Sequence, residues 1–98
     1  MPSVPLEHPE WCDRLACSAD GTGGAHRSRE LSVRAEPRAR HAAVVRILHV
    51  TGEPDVWIEV RVRTAAGEPA EPLLLTTGQA QWLGRLLVSA GRDAARPC

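Results

Sequence analysis

The 98-residue chain has no Phe, no Tyr, no Lys and no Asn, and its only aromatic side chains of the Phe, Trp and Tyr type are Trp11, Trp57 and Trp82. Without Phe or Tyr, the interior falls to Leu, Val, Ala and two Ile, which bury less surface apiece. A chain of this length removes only about 60–65% of its unfolded surface from water, so such a core is marginal. A bound metal is one standard remedy for that deficit. The missing Lys makes all twelve basic residues Arg. Together with the missing Asn, this reads as the codon bias of a GC-rich genome, so the Arg excess is no sign of selection for bidentate anion recognition.

Surplus charge is absent too, since twelve basic residues balance twelve acidic ones. The chain therefore exerts no global attraction on nucleic acid or anionic membrane, and only local patches could do so. No apolar run approaches the roughly 20 residues a bilayer span needs, so no membrane association is expected. The first ten residues carry Pro2, Pro5, Pro9, Glu7 and Glu10 without a basic or apolar signal region. The expectation is a cytoplasmic, reducing location, where Cys12 and Cys17 are better read as metal thiolates than as a disulfide. Cys98 is left over as an incidental thiol.

His8, Cys12, Cys17 and His26 are spaced His-x3-Cys-x4-Cys-x8-His. Two imidazoles and two thiolates make a closed tetrahedral set of the kind that holds structural zinc, and they balance the charge of a divalent cation. The turn-forming stretch Ser18-Ala19-Asp20-Gly21-Thr22-Gly23-Gly24 can swing His26 back onto the first three ligands. Zinc is the expected metal. An iron cluster fits less well, because both imidazoles would have to fall on one iron.

The stretch His8-Pro9-Glu10-Trp11-Cys12, followed by Cys17 and His26-Arg27-Ser28, resembles a family of short, uncharacterised actinobacterial proteins. In that family a Pro-x-Trp-Cys zinc knuckle precedes several strands and a C-terminal helix. The resemblance implies a zinc site at these positions with His8 and Cys17 interchanged in ligand type, since the family's first slot is often Cys and its third often His. It implies no activity.

Downstream, residues 30–36 alternate apolar and polar, 41–50 are almost continuously apolar, and Val56, Ile58, Val60 and Val62 alternate with Trp57, Glu59, Arg61 and Arg63. Pro37 and the Thr51-Gly52-Glu53-Pro54-Asp55 run punctuate them. Leu73–Leu75 reads as a short last strand. From Thr76 the period becomes helical, with Ala80, Leu83, Leu86, Leu87 and Ala90 on one side, Thr76 and Gln79 forming a capping box, and Gly91 placed to end the helix. Trp82 sits at the margin of that apolar arc and is expected to be partly buried.

The predicted fold is α+β: an antiparallel meander of three to four strands with one C-terminal helix packed on it, preceded by a zinc knuckle. As one domain it divides into a flexible start (1–7), the knuckle (8–28), strands (29–75), the helix (76–91) and a flexible tail (92–98).

No catalytic set accompanies the ligands. A zinc hydrolase would need an open coordination position and a base, a role for Glu7 or Glu10 only if His8 or His26 were not a ligand. His41 and His49 have no nucleophile motif beside them. The expectation is a non-catalytic protein-interaction or regulatory module presenting Trp11, or Trp57 with Arg61 and Arg63, to a protein partner. The alternative is nucleic-acid contact through Arg27, Arg29, Arg34, Arg38 and Arg40, though Glu30 and Glu36 interrupt that strip and no aromatic platform accompanies it. The sequence leaves monomer and homodimer open.

Overall fold

The computed structural model describes residues 7–35, 41–64 and 71–96. Five strands form one antiparallel sheet: β1 (Ala25–Arg27), β2 (Leu31–Arg34), β3 (Ala42–Val50), β4 (Trp57–Arg63) and β5 (Leu73–Leu75). A helix, α1 (Thr77–Ala95), closes the chain. The α+β expectation holds, with one strand more than the meander required. β3, β4 and β5 run as a meander, while β1 and β2 both pair with β3 and share its outer edge. β1 lies against residues 48–50 and β2 against residues 42–45.

Ser28 bridges that split edge. Its N–H donates to the Ile47 carbonyl at 3.0 Å, and its hydroxyl oxygen accepts from the Ile47 N–H at 2.7 Å. A buried serine thus stands in for ladder bonds where the chain steps from one edge strand to the next.

Cross-strand pairing sorts the side chains into two faces. Leu31, Val45, Val60 and Leu73 are in register on one face, as are Ile47, Ile58 and Leu75 and, further along, Val33, Ala43 and Val62. The other face carries Arg46 beside Glu59, Val44 beside Arg61, and Leu48 beside Trp57. There Glu30 and Glu59 gather Arg46, Arg61 and Arg63 into one ion-pair network: Arg46 Nε lies 3.2 Å from Glu59 Oε1, and both Arg61 and Arg63 donate to the Glu30 carboxylate. Hydrogen bonding from Arg63, reinforced by the charges of Arg61 and Arg46, holds the Glu30 carboxyl below its ordinary pKa.

α1 begins as the sequence predicts. The Gln79 N–H donates to Thr76 Oγ1 at 3.1 Å, and the Thr76 N–H donates to Gln79 Oε1 at 3.0 Å. Its end differs, because the helix runs through Gly91 to Ala95. Gly91 is not in the left-handed region, and Arg92-Asp93-Ala94-Ala95 contains no breaker. The helix stops where Arg96, at φ −71° and ψ 135°, precedes Pro97, a position proline pushes out of helical geometry. Among the described elements, α1 makes its contacts with β4 and β5. It approaches the apolar face over Val45, Ile58, Val60 and Leu75, leaving a gap of about 230 Å³ lined also by Ala80, Leu83 and Leu87. Trp82 is 61% exposed, so it is not the partly buried residue its sequence position suggests. No helix among the described residues is long and apolar enough to cross a membrane.

Candidate metal centre

The knuckle is held to β1 by backbone bonds on both sides of His26. The Asp13 N–H donates to the Arg27 carbonyl at 2.8 Å, and the Ser18 N–H donates to the Ala25 carbonyl at 2.9 Å. Cys12 and Cys17 immediately precede those two donors, so both thiols are brought to the imidazole of His26. Between them the chain makes one compact turn, in which the N–H groups of Ala16 and Cys17 both donate to the Asp13 carbonyl at 3.0 and 2.9 Å. Asp13 Oδ1 also accepts from the Leu15 N–H at 3.0 Å. His8 is returned by a second turn, closed by the Cys12 N–H donating to Pro9 O at 3.0 Å.

The loop to His26 is equally built. Asp20 Oδ1 accepts from the N–H groups of Thr22 and Gly23 at 2.9 and 2.8 Å and from the Thr22 hydroxyl at 2.8 Å, which lowers the Asp20 pKa. Gly24, at φ +76°, then passes so close to the chain it crosses that a Cβ there would stand 2.0 Å from the Ser18 carbonyl oxygen. Only glycine fits this crossing. The loop is tied to the far end of β3 by the Thr51 N–H donating to Gly24 O at 3.0 Å and the Thr51 hydroxyl to Gly23 O at 3.1 Å.

The outcome is four donor atoms within 4.8 Å of one another. Cys12 Sγ lies 3.4 Å from His8 Nδ1 and 3.7 Å from His26 Nδ1, and Cys17 Sγ lies 3.7 and 3.6 Å from the same two nitrogens. Zinc bonds of roughly 2.05 Å to nitrogen and 2.3 Å to sulfur, set at the tetrahedral angle, give a sulfur–nitrogen edge of about 3.6 Å. All four sulfur–nitrogen edges lie near that figure, so the residues fit the metal. Cys12 and Cys17 are both free of disulfide.

Burial, then a hydrogen bond with Cys17, pushes the Cys12 thiol above its ordinary pKa. Burial, then the charges of His8 and His49, lowers the pKa of His26 and favours the neutral, ligating imidazole. His26 is the buried ligand; the other three are half-buried.

His49 has a part that the sequence did not reveal. Its ring stacks on His26 at a centroid distance of 6.1 Å and an interplanar angle of 17°. Its Nε2, 2.7 Å from the Glu53 carbonyl, is the donor in that hydrogen bond. The pairing of His26 with His49 across β1 and β3 is the register that creates this support, and no spacing in the sequence announces it.

The remaining sequence candidates disperse. Trp11 reaches from the knuckle to the apolar sheet face, where it borders a gap of about 240 Å³ with Leu31, Val45, Ile47 and Ile58. Trp57 is half-buried on the opposite face with Arg61 and Arg63, whose guanidinium groups are engaged by Glu30. Of the basic strip, Arg27 donates to Ser18 Oγ at 2.7 Å, Arg29 and Arg34 are exposed, and Arg38 and Arg40 lie outside the described residues, as does Cys98. A larger concavity of about 680 Å³ is bounded, among the described residues, by one side of α1, including Gly84, Arg85, Val88 and Arg92, and by Arg96 just beyond it, and is open helix surface. Comparison with protein-family models, curated proteins and solved structures yields no match.

Proposed function

We propose that this is a small cytoplasmic zinc-binding protein whose metal is structural and which acts as a non-catalytic interaction or regulatory module. The observation that carries the reading is the convergence of His8, Cys12, Cys17 and His26 at tetrahedral edge lengths. Four protein ligands fill the coordination of zinc and leave no position for a reacting water. Glu7 and Glu10, the acids a hydrolase would enlist, are exposed and do not belong to the cluster. When bound, the ion would neutralise the two thiolates and clamp the segment from His8 to His26. The knuckle's resemblance to the actinobacterial Pro-x-Trp-Cys proteins accords with a stapling role.

The partner surface in this reading is the polar sheet face around Trp57, where the Glu30 contacts hold Arg61 and Arg63 in place, or the knuckle surface near Trp11 on the opposite side. Nucleic-acid contact is the weaker reading, because Arg27 is held by Ser18 and the chain carries no net positive charge.

Cobalt substitution tests the metal reading. The expected result is the intense ligand-field absorption of a tetrahedral two-sulfur, two-nitrogen site, lost in Cys17→Ser. A six-coordinate spectrum, or one unchanged by the substitution, would contradict it. Labelled oligonucleotides offered at low and high salt test the alternative, and tight, salt-sensitive binding would favour it.

A further inference from the structure

An imidazole ligand has to be aimed as well as delivered. Its ring turns about the Cβ–Cγ bond, and ligating histidines are ordinarily fixed against that rotation by a hydrogen bond from the ring nitrogen that does not bind the metal. His26 has no such bond among the described residues. Its Nδ1 faces the sulfurs of Cys12 and Cys17 at 3.7 and 3.6 Å, and no protein acceptor meets its other nitrogen. Yet His26 is the buried member of the four. Two rings lie against it instead. His8 stands perpendicular at a centroid distance of 5.0 Å, but it is itself a ligand and needs aiming in turn. His49 lies nearly parallel at 6.1 Å, within the range of offset ring stacking.

His49 is well placed to act as the fixed member of that pair. It stands on β3, the strand to which β1, β2 and β4 all pair. Its Nε2 donates to the Glu53 carbonyl at 2.7 Å, and the turn that presents this carbonyl is closed by the Glu53 N–H donating to the Val50 carbonyl at 3.0 Å. Thr51, in the same turn, donates to the carbonyls of Gly24 and Gly23 just before His26. One turn therefore holds both the backbone that delivers His26 and the ring that lies along its face. We propose that His49 is a positioning residue of the metal centre: its ring, pinned by the β3–β4 turn, fixes the plane of the His26 imidazole and so sets how tightly the ion is kept, although His49 donates no atom to the cluster. The inference rests on the zinc reading above and names a residue outside the ligand set that governs it.

Chelator competition on the full zinc-loaded chain tests it, with the ligand-field spectrum of the fully cobalt-loaded protein recorded for the same variants. His49→Ala should weaken zinc binding by about tenfold or more and broaden the cobalt bands. His49→Phe keeps a flat ring without the hydrogen bond to Glu53, so it should recover much of the affinity and the native band shape while falling short of wild type. His49→Leu fills the space without a ring plane and should behave like His49→Ala. Thr76→Ala, remote from the cluster, lowers stability and should leave affinity and spectrum unchanged, which separates positioning from a general loss of fold. Wild-type affinity and spectrum in His49→Ala would overturn the proposal, as would His49→Leu performing as well as His49→Phe. If His49→Ala does not fold, the comparison of His49→Leu with His49→Phe decides. A wild-type chain that takes up no metal would overturn the zinc reading and this inference with it, whereas wild-type binding that no His49 variant alters would overturn this inference alone.

Discussion

The Asp13 N–H donates to the Arg27 carbonyl at 2.8 Å, and this bond sets how far Cys12 stands from His26. Each partner of the bond is the residue immediately after a candidate ligand. The metal centre is therefore positioned by backbone pairing between the knuckle and β1, so substitutions that disturb the crossing should act on the metal although they touch no ligand.

Gly24→Ala is the sharpest case. The added Cβ would meet the Ser18 carbonyl oxygen in a backbone conformation that L-residues rarely adopt. The expected outcome is a loss of at least about 2 kcal/mol in stability and a weakened zinc affinity, measured by denaturant unfolding and chelator competition. Gly21→Ala is the control: at φ +89° it is strained as well, but its Cβ meets nothing within 4 Å. It should cost about 1–2 kcal/mol and leave metal affinity nearly unchanged.

Ser28→Ala removes the acceptor for the Ile47 N–H and leaves the join between β1 and β2 without its side-chain bond. A destabilisation of about 1–3 kcal/mol is expected, with faster amide exchange at Ile47. An unchanged exchange rate at Ile47 would count against this role.

Glu30 makes stability depend on acid. Its folded-state pKa is lowered, first by the hydrogen bond from Arg63, so between the folded and unfolded values the native state holds fewer protons than the unfolded chain. This contribution is fully present above the unfolded glutamate pKa and is lost as pH falls through the folded value. Glu30→Gln should flatten the acid limb of the stability–pH curve relative to wild type, and salt should shrink the difference between them.

At the helix start, Thr76→Ala deletes the acceptor for the Gln79 N–H. The expected cost is about 1 kcal/mol, seen as a lower midpoint in thermal melts monitored by far-ultraviolet circular dichroism.

Much of this was legible in the chain. The alternation at Val56–Val62 places β4 and its two faces, and Thr76 with Gln79 fixes the first turn of α1, because both signals are local. The four ligands could be grouped because Cys and His are scarce and lie close together. β1 escaped, although it carries His26, because its three residues become a strand only through bonds to the knuckle and to Val50, His49 and Leu48. His49 escaped for the same reason, since its stacking on His26 is a product of that register. The C-terminal end of α1 was misplaced because Gly91 is a common terminator but not an obligatory one, and Arg96 before Pro97 was the decisive signal.

The most direct test of the central claim is the metal content of the chain purified without added metal, measured by native mass spectrometry beside Cys12→Ser and His26→Ala. The account predicts one zinc per wild-type chain, none in either variant, and loss of order in the knuckle when the ion is removed. A wild-type chain that is folded through residues 8–28 and free of metal would contradict it.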